Sequence, residues 1–432
     1  SHTTGLRPVL AADSSTKRDC IRLDHAAYLE LAANYQPSSF EYCYSRINAN
    51  ACISSNPPEH QSSGEKNERS QRMKLLCVTS SFLFFLVFHV ANLADDAYQL
   101  LRSDPRGYAV VEPGRDFGFP RDHLPHKDFK IEWWYLTANL KDESGADYGI
   151  HWTLFRQSIS PKPDLGGWQS NQVWMGHTAV SLPRQFVYEQ RFARGGIGQV
   201  DVKWDDEGRF SAWLDDWRWQ AETQNPFPAT LSFTSQGIAI KMQMNAKTPW
   251  VLQGENGYSQ KSELGQASYY YSQPHIDIKA TIFLNGVETS LSGLGWLDRE
   301  WSSQPLAPDQ PGWDWLSLHL DDGHALMVYK LRQNTREDWV SGSWIDPSGK
   351  SKTLAKKDVK FEPVRYTTVE TGTGKKTLPL VWRVELPAER KSWTVSAIDS
   401  SHWLDTAFPY WEGPVDAIGS TGGKGYLELT GY

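Results

Sequence analysis

One hairpin-like pattern occurs twice in this chain, and the two copies lie about 180 residues apart. Each copy is an apolar strand rich in aromatic residues, an acidic turn, and a returning strand that ends in Arg-Gln. The segments are 130–140, 141–145 and 151–157 in the first copy, and 313–320, 321–323 and 327–333 in the second. This order is typical of a β-hairpin. The long offset indicates duplicated domains, because solenoid repeats recur about every 20–50 residues.

The remaining pattern predicts an all-β protein. All 20 tryptophans lie after residue 130, and aromatic and β-branched residues recur in short runs between Gly, Pro, Asn and Asp. Such runs favour strands over helices. We predict two β-barrel domains at 107–301 and 313–432, because barrels remove exposed strand edges and about eight strands can enclose one small ligand. The Pro-rich segment 302–312 is the predicted linker.

The first 94 residues have a different character. Residues 73–94 begin with Met-Lys and continue as an apolar run that ends in a small residue. This pattern is typical of a secretory signal peptide. Residues 1–72 are polar and aperiodic, and we interpret them as a non-native or disordered upstream segment. If they belong to the natural protein, the apolar run is instead an internal membrane anchor. The first interpretation predicts a secreted or periplasmic protein whose mature form has no stable membrane anchor.

Cysteine usage and charge exclude several classes of site. The four cysteines precede residue 95, so the mature part has no disulfide, thiol nucleophile or thiolate metal site. The formal net charge is −7, and the two signs are interspersed without a basic run. Nucleic acid is therefore not a predicted partner. The mature part also lacks a Gly-x-Ser-x-Gly elbow, so it does not carry the motif of an α/β-hydrolase triad.

Several motifs together carry a resemblance to a known family. They are Glu132-Trp-Trp-Tyr135, Trp174-Met-Gly-His-Thr-Ala179, Tyr269-Tyr-Tyr-Ser-Gln-Pro274, Gly295-Trp-Leu-Asp-Arg-Glu-Trp301 and Gly312-Trp-Asp-Trp315. Over 107–432 the chain resembles the secreted, two-domain lipocalin-like proteins grouped with carotenoid 1,2-hydratase and the AttH attachment protein. Members often carry the label "predicted secreted hydrolase". The resemblance implies two lipocalin-like barrels packed side by side, with a ligand cavity.

The same resemblance suggests which branch of the family applies. In the carotenoid hydratases, a His-x-Trp pair and a Tyr-x-Asp pair carry activity. By position these pairs fall on Tyr269 and Tyr271, and on Trp296 and Asp298, so only the aspartate matches. These departures argue against carotenoid hydration itself and favour the AttH-like branch. Family context implies a role in attachment or envelope biogenesis, with an ABC transporter as a candidate partner.

Two carboxylates are the strongest catalytic candidates. Asp298 and Glu300 are two residues apart, so on a strand they face the same side. In an aromatic cavity, burial and mutual repulsion would raise the pKa of one of them. A held acid of this kind can protonate a C=C bond, and aromatic faces can stabilise the resulting cation. The alternative is that Arg156 or Arg299 pairs with these acids and closes the barrel end.

Other charged residues have competing interpretations. Glu132 and Arg156 are predicted to pair across neighbouring strands, either as a structural clamp or as a substrate clamp. The second copy has Arg332 but no matching acid, so we predict that the first domain is the active one. His177 is a third catalytic candidate, although a lone strand histidine is more often a satisfied core residue. His123-x-x-His126 has no further ligand, and we predict neither metal nor cofactor.

These observations lead to two main hypotheses. The first is an exported protein that binds a hydrophobic small molecule, isoprenoid or lipid-like, in an aromatic cavity of the first domain. The second is an enzyme that hydrates or hydrolyses such a molecule with acid assistance. An attachment or envelope accessory protein without catalysis, and a carbohydrate-active protein, are further alternatives. The predicted catalytic residues are Asp298, Glu300 and His177. The predicted ligand-binding residues are Glu132, Trp133, Trp134, Arg156, Tyr269, Tyr271, Trp296 and Trp301.

Overall fold

The computed structural model describes residues 93–432, with side chains from residue 98 onward. The upstream segment 1–72 lies outside the described residues. The predicted signal peptide 73–94 lies outside them as well, except for its last two residues, which begin a helix. This helix, α1, is Leu93–Arg102, and short 3-10 helices occur at Arg121–His123 and Gly167–Gln169. Within the described part, no helix has the length and apolar character needed to cross a membrane.

The described chain is otherwise a succession of antiparallel strands in two sheets. The first sheet contains β1 (Ile131–Lys141), β2 (Asp147–Ser158), β3 (Gln172–Leu182), β4 (Gln185–Arg194), β5 (Val200–Trp204), β6 (Phe210–Leu214), β7 (Trp217–Ala221), β8 (Ala229–Ser235), β9 (Ile238–Ala246), β10 (Val251–Leu252), β11 (Tyr258–Gln260), β12 (Ala267–Leu284) and β13 (Val287–Ser302). The second contains β14 (Trp313–Leu320), β15 (Ala325–Leu331), β16 (Trp339–Ile345), β17 (Ser351–Ala355), β18 (Lys360–Thr371), β19 (Gly374–Leu386), β20 (Lys391–Ala397), β21 (Trp403–Leu404), β22 (Tyr410–Gly419) and β23 (Gly423–Thr430).

The two sheets repeat one topology, as the duplicated pattern predicts. β1 pairs with β2 on one side and with β13, the last strand of its sheet, on the other. β14 likewise pairs with β15 and with the final strand, β23. The first sheet curls into a nearly closed barrel and the second into a half-barrel. The prediction of an all-β fold with two lipocalin-like barrel domains is therefore confirmed.

The interior of the first barrel is filled with large apolar side chains. Strand alternation produces this core, as in β9, where Ile240, Met242 and Met244 are buried and the residues between them are exposed. The largest buried side chains of the cluster are Trp134, Trp152, Trp174, Trp217 and Trp219. A separate cluster fills the second barrel, and a third joins the two sheets. Indole rings thus occupy the interior where the sequence predicted a ligand cavity.

The segment between β13 and β14 is packed against both sheets. Leu306 is 2% exposed and belongs to the cluster that joins them. Gln310 Nε2 donates to Lys261 O at 2.8 Å, and Arg102 Nη1 donates to Gln310 O at 2.9 Å. The two barrels therefore belong to one compact unit, and the Pro-rich segment contributes to their interface instead of acting as a loose tether.

Candidate functional site

A cavity of about 150 Å³ lies between the two sheets. Its walls are mainly apolar and come from both barrels, α1 and the segment after β13; the apolar side chains are Leu100, Leu101, Ile131, Trp133, Phe155, Met175, Pro305, Leu306, Trp313, Trp315, Leu331 and Phe408. The ionisable side chains that line it include Tyr135, Lys261, Tyr270, Asp298, Glu300, Tyr329, Tyr410 and Glu428. An apolar cleft with a few convergent polar groups is the usual form of a small-molecule site. Its position differs from the prediction, which placed the cavity inside the first domain.

Asp298 is held in this cavity by neutral donors. Its Oδ1 accepts hydrogen bonds from Ser272 Oγ at 2.5 Å and Trp296 Nε1 at 2.7 Å. Its Oδ2 accepts from Tyr270 Oη at 2.6 Å. Burial raises the pKa of Asp298 to about 7, against the effect of these hydrogen bonds, and the charge of Glu300 adds to the rise. Asp298 therefore exchanges its proton near neutral pH, as a general acid requires.

Glu300 lies on the same face of β13, as the spacing predicts, but it is bound differently. Lys261 Nζ lies 2.7 Å from Glu300 Oε1, and Ser268 Oγ donates to the same oxygen. Burial lowers the pKa of Lys261, but the charge of Glu300, the neighbouring Tyr329 and the hydrogen bonds to both together raise it above its usual value. The suggestion that Arg156 or Arg299 neutralises these acids is wrong, because the partner is a lysine from the segment that follows β11.

The two arginines instead bind Glu132, which lies at the start of β1. Glu132 accepts from Arg156 Nε at 3.1 Å and from Arg299 Nη2 at 2.7 Å. His126 adds its backbone N–H at 2.8 Å and its ring Nδ1 at 2.7 Å. Burial raises the pKa of Glu132, but His126, Arg299 and Arg156 together hold it well below its usual range. The geometry fits the structural clamp, with Glu132 and Arg156 at the border of the cavity.

A second pair of acids enters from the second barrel. Glu412 and Glu428 are direct cross-strand partners on β22 and β23. Trp313 Nε1 donates to Glu428 Oε2 at 3.0 Å, and Tyr135 Oη donates to Glu412 Oε1 at 2.6 Å. Burial and the neighbouring acids raise the pKa of Glu428 to about 7 and that of Glu412 well above its usual range. Glu428 lines the cavity, whereas Glu412 lies behind Tyr135.

His177 is buried behind the cavity wall. Gln190 Oε1 accepts from the backbone N–H of Ala407 at 3.1 Å, so its amide nitrogen donates to His177 Nε2 at 2.8 Å. The other ring nitrogen, Nδ1, therefore carries the proton and donates to Tyr410 Oη at 2.9 Å. Burial lowers the pKa of His177 to about 3, so the ring is neutral. His177 orients Tyr410, which lines the cavity, and does not reach the cavity itself.

The structure brings together only part of the predicted site. Asp298, Glu300 and Trp133 line the cavity, and Glu132 and Arg156 border it. The other predicted ligand-binding residues lie outside its lining: Trp134, Tyr269, Tyr271, Trp296 and Trp301. Among these, Trp134 belongs to the barrel core, and Trp296 packs behind the wall and donates to Asp298. The remaining three form an aromatic cluster on the opposite face of β12 and β13.

Two further expectations concern the second barrel and metals. The second copy has no acid at the position of Glu132, but Arg332 Nη1 pairs with Asp314, which also accepts from Tyr432 Oη at 2.8 Å. His126 lies between Glu132 and Asp122, and His123 Nδ1 lies 2.7 Å from Tyr271 Oη. Among residues 93–432, no group of three or more His, Cys, Asp or Glu side chains is arranged to hold a metal ion.

Comparison with known proteins places the chain in a family. The sequence matches the AttH-like family over residues 110–432. The chain belongs to the AttH-like family. A solved structure from Nitrosomonas europaea, described as AttH, is similar to this AttH-like protein at 33% identity with a TM-score of 0.66, covering 75% of this chain and 99% of the other. Kievitone hydratase from Nectria haematococca has the same fold at 14% identity with a TM-score of 0.55, covering 76% and 97%. No curated protein sequence matches.

Sequence reasoning missed several lining residues of this AttH-like protein. The sequence analysis selected the two neighbours of Tyr270 in the Tyr-Tyr-Tyr run instead of Tyr270 itself. The strand register places Tyr270 opposite Glu300 on the cavity face. Trp315 and Tyr329 belong to the second hairpin, whereas the prediction placed the active site in the first domain. Lys261 and Glu428 carry no local signal, because each reaches the cavity through contacts between distant segments. Only the alternation that selected Asp298 could have identified Tyr270 in advance.

Proposed function

We propose that this AttH-like protein binds a hydrophobic small molecule between its two barrels and adds water to a C=C bond of that molecule. The observation that carries the proposal is Asp298, a buried acid with a pKa of about 7 in the wall of an apolar cavity. The substrate class is isoprenoid or lipid-like, because most of the lining is aliphatic or aromatic. The apolar walls disfavour a carbohydrate, whose many hydroxyls need polar partners.

The chemistry starts with the proton on Asp298. Protonated Asp298 can donate through Oδ2 to Tyr270 Oη, which also accepts from Trp315 Nε1 at 3.2 Å. The Tyr270 hydroxyl proton is then directed toward the cavity, so either group can deliver a proton to an alkene carbon. The positive charge left on the other carbon lies among aromatic walls such as Trp133 and Tyr135, whose faces stabilise cations. Exclusion of bulk water limits side reactions of this intermediate.

The comparisons support the fold of the proposed site. The neighbour from Nectria haematococca is named a hydratase, but at 14% identity its likeness is one of fold. The proposal therefore depends on residues of this chain. The departures at Tyr269, Tyr271 and Trp296 still argue against carotenoid hydration itself, and those three side chains lie outside the cavity.

A carrier without catalysis is the second candidate, and α1 favours it. Leu100 and Leu101 of this helix line the cavity. Tyr98 fixes the helix by donating to Pro409 O at 2.9 Å and by packing on Phe408, with ring centroids 4.1 Å apart. A helix held over an apolar cavity would retain a ligand, which suits transport as well as reaction.

One experiment separates the two candidates. Residues 95–432, exported and purified from a bacterial periplasm, are first tested by native mass spectrometry for a retained ligand. The protein is then incubated with farnesol, geranylgeraniol and oleic acid in water enriched in heavy oxygen. We expect heavy oxygen in an alcohol product of the wild type, and about 10²–10⁴-fold less with Asp298→Asn. The exposed Asp206→Asn is the charge-matched control. A retained ligand, with no label in any product, would favour the carrier and refute hydration of these probes.

A further inference from the structure

The cavity receives one acid from each barrel. Asp298 projects from β13 of the first sheet, and Glu428 projects from β23 of the second. The two are linked through the wall: Asp298 accepts from Tyr270, and Tyr270 accepts from Trp315, which is the cross-strand partner of Glu428. Trp313 Nε1 donates a hydrogen bond to Glu428 Oε2 at 3.0 Å. Two carboxyl groups from different barrels therefore line the same cavity.

These two acids are coupled through their charges. Lys261 pairs with Glu300 and leaves Asp298 and Glu428 without an ion-pair partner among the described residues. Burial raises the pKa of each to about 7, and the charge of Asp298 contributes to the rise at Glu428. The other titratable groups that face Glu428 are Tyr98, Tyr135, Glu300, Tyr410 and Glu412. Like charges that are buried close together favour the state in which one acid is protonated and the other is ionised.

We infer that Glu428 is the base that takes a proton from the attacking water, so that the catalytic pair spans the two barrels. This inference rests on the proposed hydration reaction and assigns its second catalytic residue. An acid and a base with separated roles are what a reaction needs when it both delivers a proton and removes one. The second barrel thereby acquires a chemical role, which the sequence analysis had predicted for the first domain alone.

The step balances with water as the only co-reactant. The π electrons of the alkene take the proton of Asp298 and form a C–H bond, which leaves Asp298 ionised and the other carbon positive. Water then forms a C–O bond to that carbon, and one of its protons moves to the carboxylate of Glu428. The product is an alcohol. A proton passes from Glu428 back to Asp298 through water before the next turnover, so no oxidant or reductant is consumed.

Glu428→Gln tests the base role by separating the two half-reactions. In heavy water, Asp298 should still protonate and deprotonate the alkene, so deuterium should enter recovered farnesol at a rate close to that of the wild type. Water addition should fall by about 10²–10⁴-fold. A purely structural role for Glu428 would lower both rates together. Glu143→Gln is the control, because it makes the same substitution at an exposed turn position far from the cavity lining. It should add water at the wild-type rate.

A readout without turnover completes the test. Infrared titration follows the carboxyl band of Glu428, which is identified as the band that is missing from Glu428→Gln. In Asp298→Asn this band should titrate at lower pH than in the wild type, because one negative neighbour is removed. Unchanged titration, or wild-type water addition by Glu428→Gln, would overturn the base role while hydration itself stands. If the wild type adds no water to any probe, the proposed function fails and the base role fails with it.

Discussion

At the scale of single residues, the surroundings of a carboxyl group decide its charge. Glu132 and Asp298 are both buried on neighbouring strands. Cations surround Glu132, and its pKa lies well below the usual range. Neutral hydroxyl and indole donors surround Asp298, and its pKa rises to about 7. Only the second environment produces a group that can release a proton at neutral pH, which is why we assign the chemistry to Asp298 and the clamp to Glu132.

Asp298→Asn should change how stability depends on pH. The carboxyl of the unfolded chain titrates near its ordinary value of 3.8, and that of the folded protein titrates near 7. Between these values the folded state holds a proton that the unfolded state has lost. The stabilising contribution is therefore complete below the lower value and is lost as pH rises through the upper one. Asparagine is neutral throughout, so the variant should gain stability relative to the wild type by a few kcal/mol as pH rises.

Urea unfolding of both proteins at about pH 5 and about pH 8 measures this change. The difference in unfolding free energy between the two proteins reports Asp298 together with its coupling to Glu428, because the buried histidines titrate in both. A difference that stays constant between the two pH values would contradict the assigned environment.

At the scale of elements, β1 separates two environments. Its residues alternate between the packed barrel interior, which contains Trp134 and Leu136, and the cavity side, which contains Trp133 and Tyr135. Both faces are buried along most of the strand, so large apolar or aromatic side chains occur on each. The Glu132 clamp ties this strand to β2 and β13 through Arg156 and Arg299. The wall of the cavity therefore depends on an ion cluster that has no chemical role of its own.

Arg156→Met should destabilise the protein strongly. It removes one of the cations that hold Glu132 and leaves two backbone carbonyls, His126 O and Phe129 O, without this donor. Breaking a buried ion pair from one side costs about 3–5 kcal/mol. Arg209→Met is the control, since Arg209 forms solvent-screened pairs with Asp205 and Glu207, and their loss should change stability little. Urea unfolding at neutral pH measures both variants. Similar losses in the two would refute the clamp as a major source of stability.

The sequence predicted those features that depend on local pattern. Hairpins, the all-β class and the shared face of Asp298 and Glu300 all follow from alternation and turn residues. Alternation does not reveal which face of the strands lines the cavity, because both faces of β12 and β13 carry aromatic residues. For this reason the prediction selected Tyr269 and Tyr271 instead of Tyr270. The place of Glu428 in the cavity could not be predicted from the sequence, since it depends on how the two sheets pack together.

At the scale of the whole molecule, duplication creates the site. Each barrel fills its own interior, and the functional groups collect where the barrels meet. Hydrogen bonds cross this interface from Tyr135 to Glu412, from Asn139 Nδ2 to Gly425 O at 2.9 Å, and between His177 and Tyr410. Buried polar bonds of this kind fix one relative orientation, because a shifted interface would leave their partners unsatisfied. The interface is thus both the binding site and the main link between the domains.

The two barrels should therefore unfold as one unit. The cluster that joins them includes Tyr270 and Trp296 from the first sheet and Trp315 from the second. A large apolar interface couples domains that would otherwise unfold separately. Calorimetry should show one transition whose calorimetric and van't Hoff enthalpies agree. Trp315→Ala should destabilise this single unit by about 3–5 kcal/mol, whereas Trp168→Ala, at a side chain that is 70% exposed, should change little. Two separated transitions in the wild type would show that the barrels are stable independently, and would remove the energetic basis for a site shared between them.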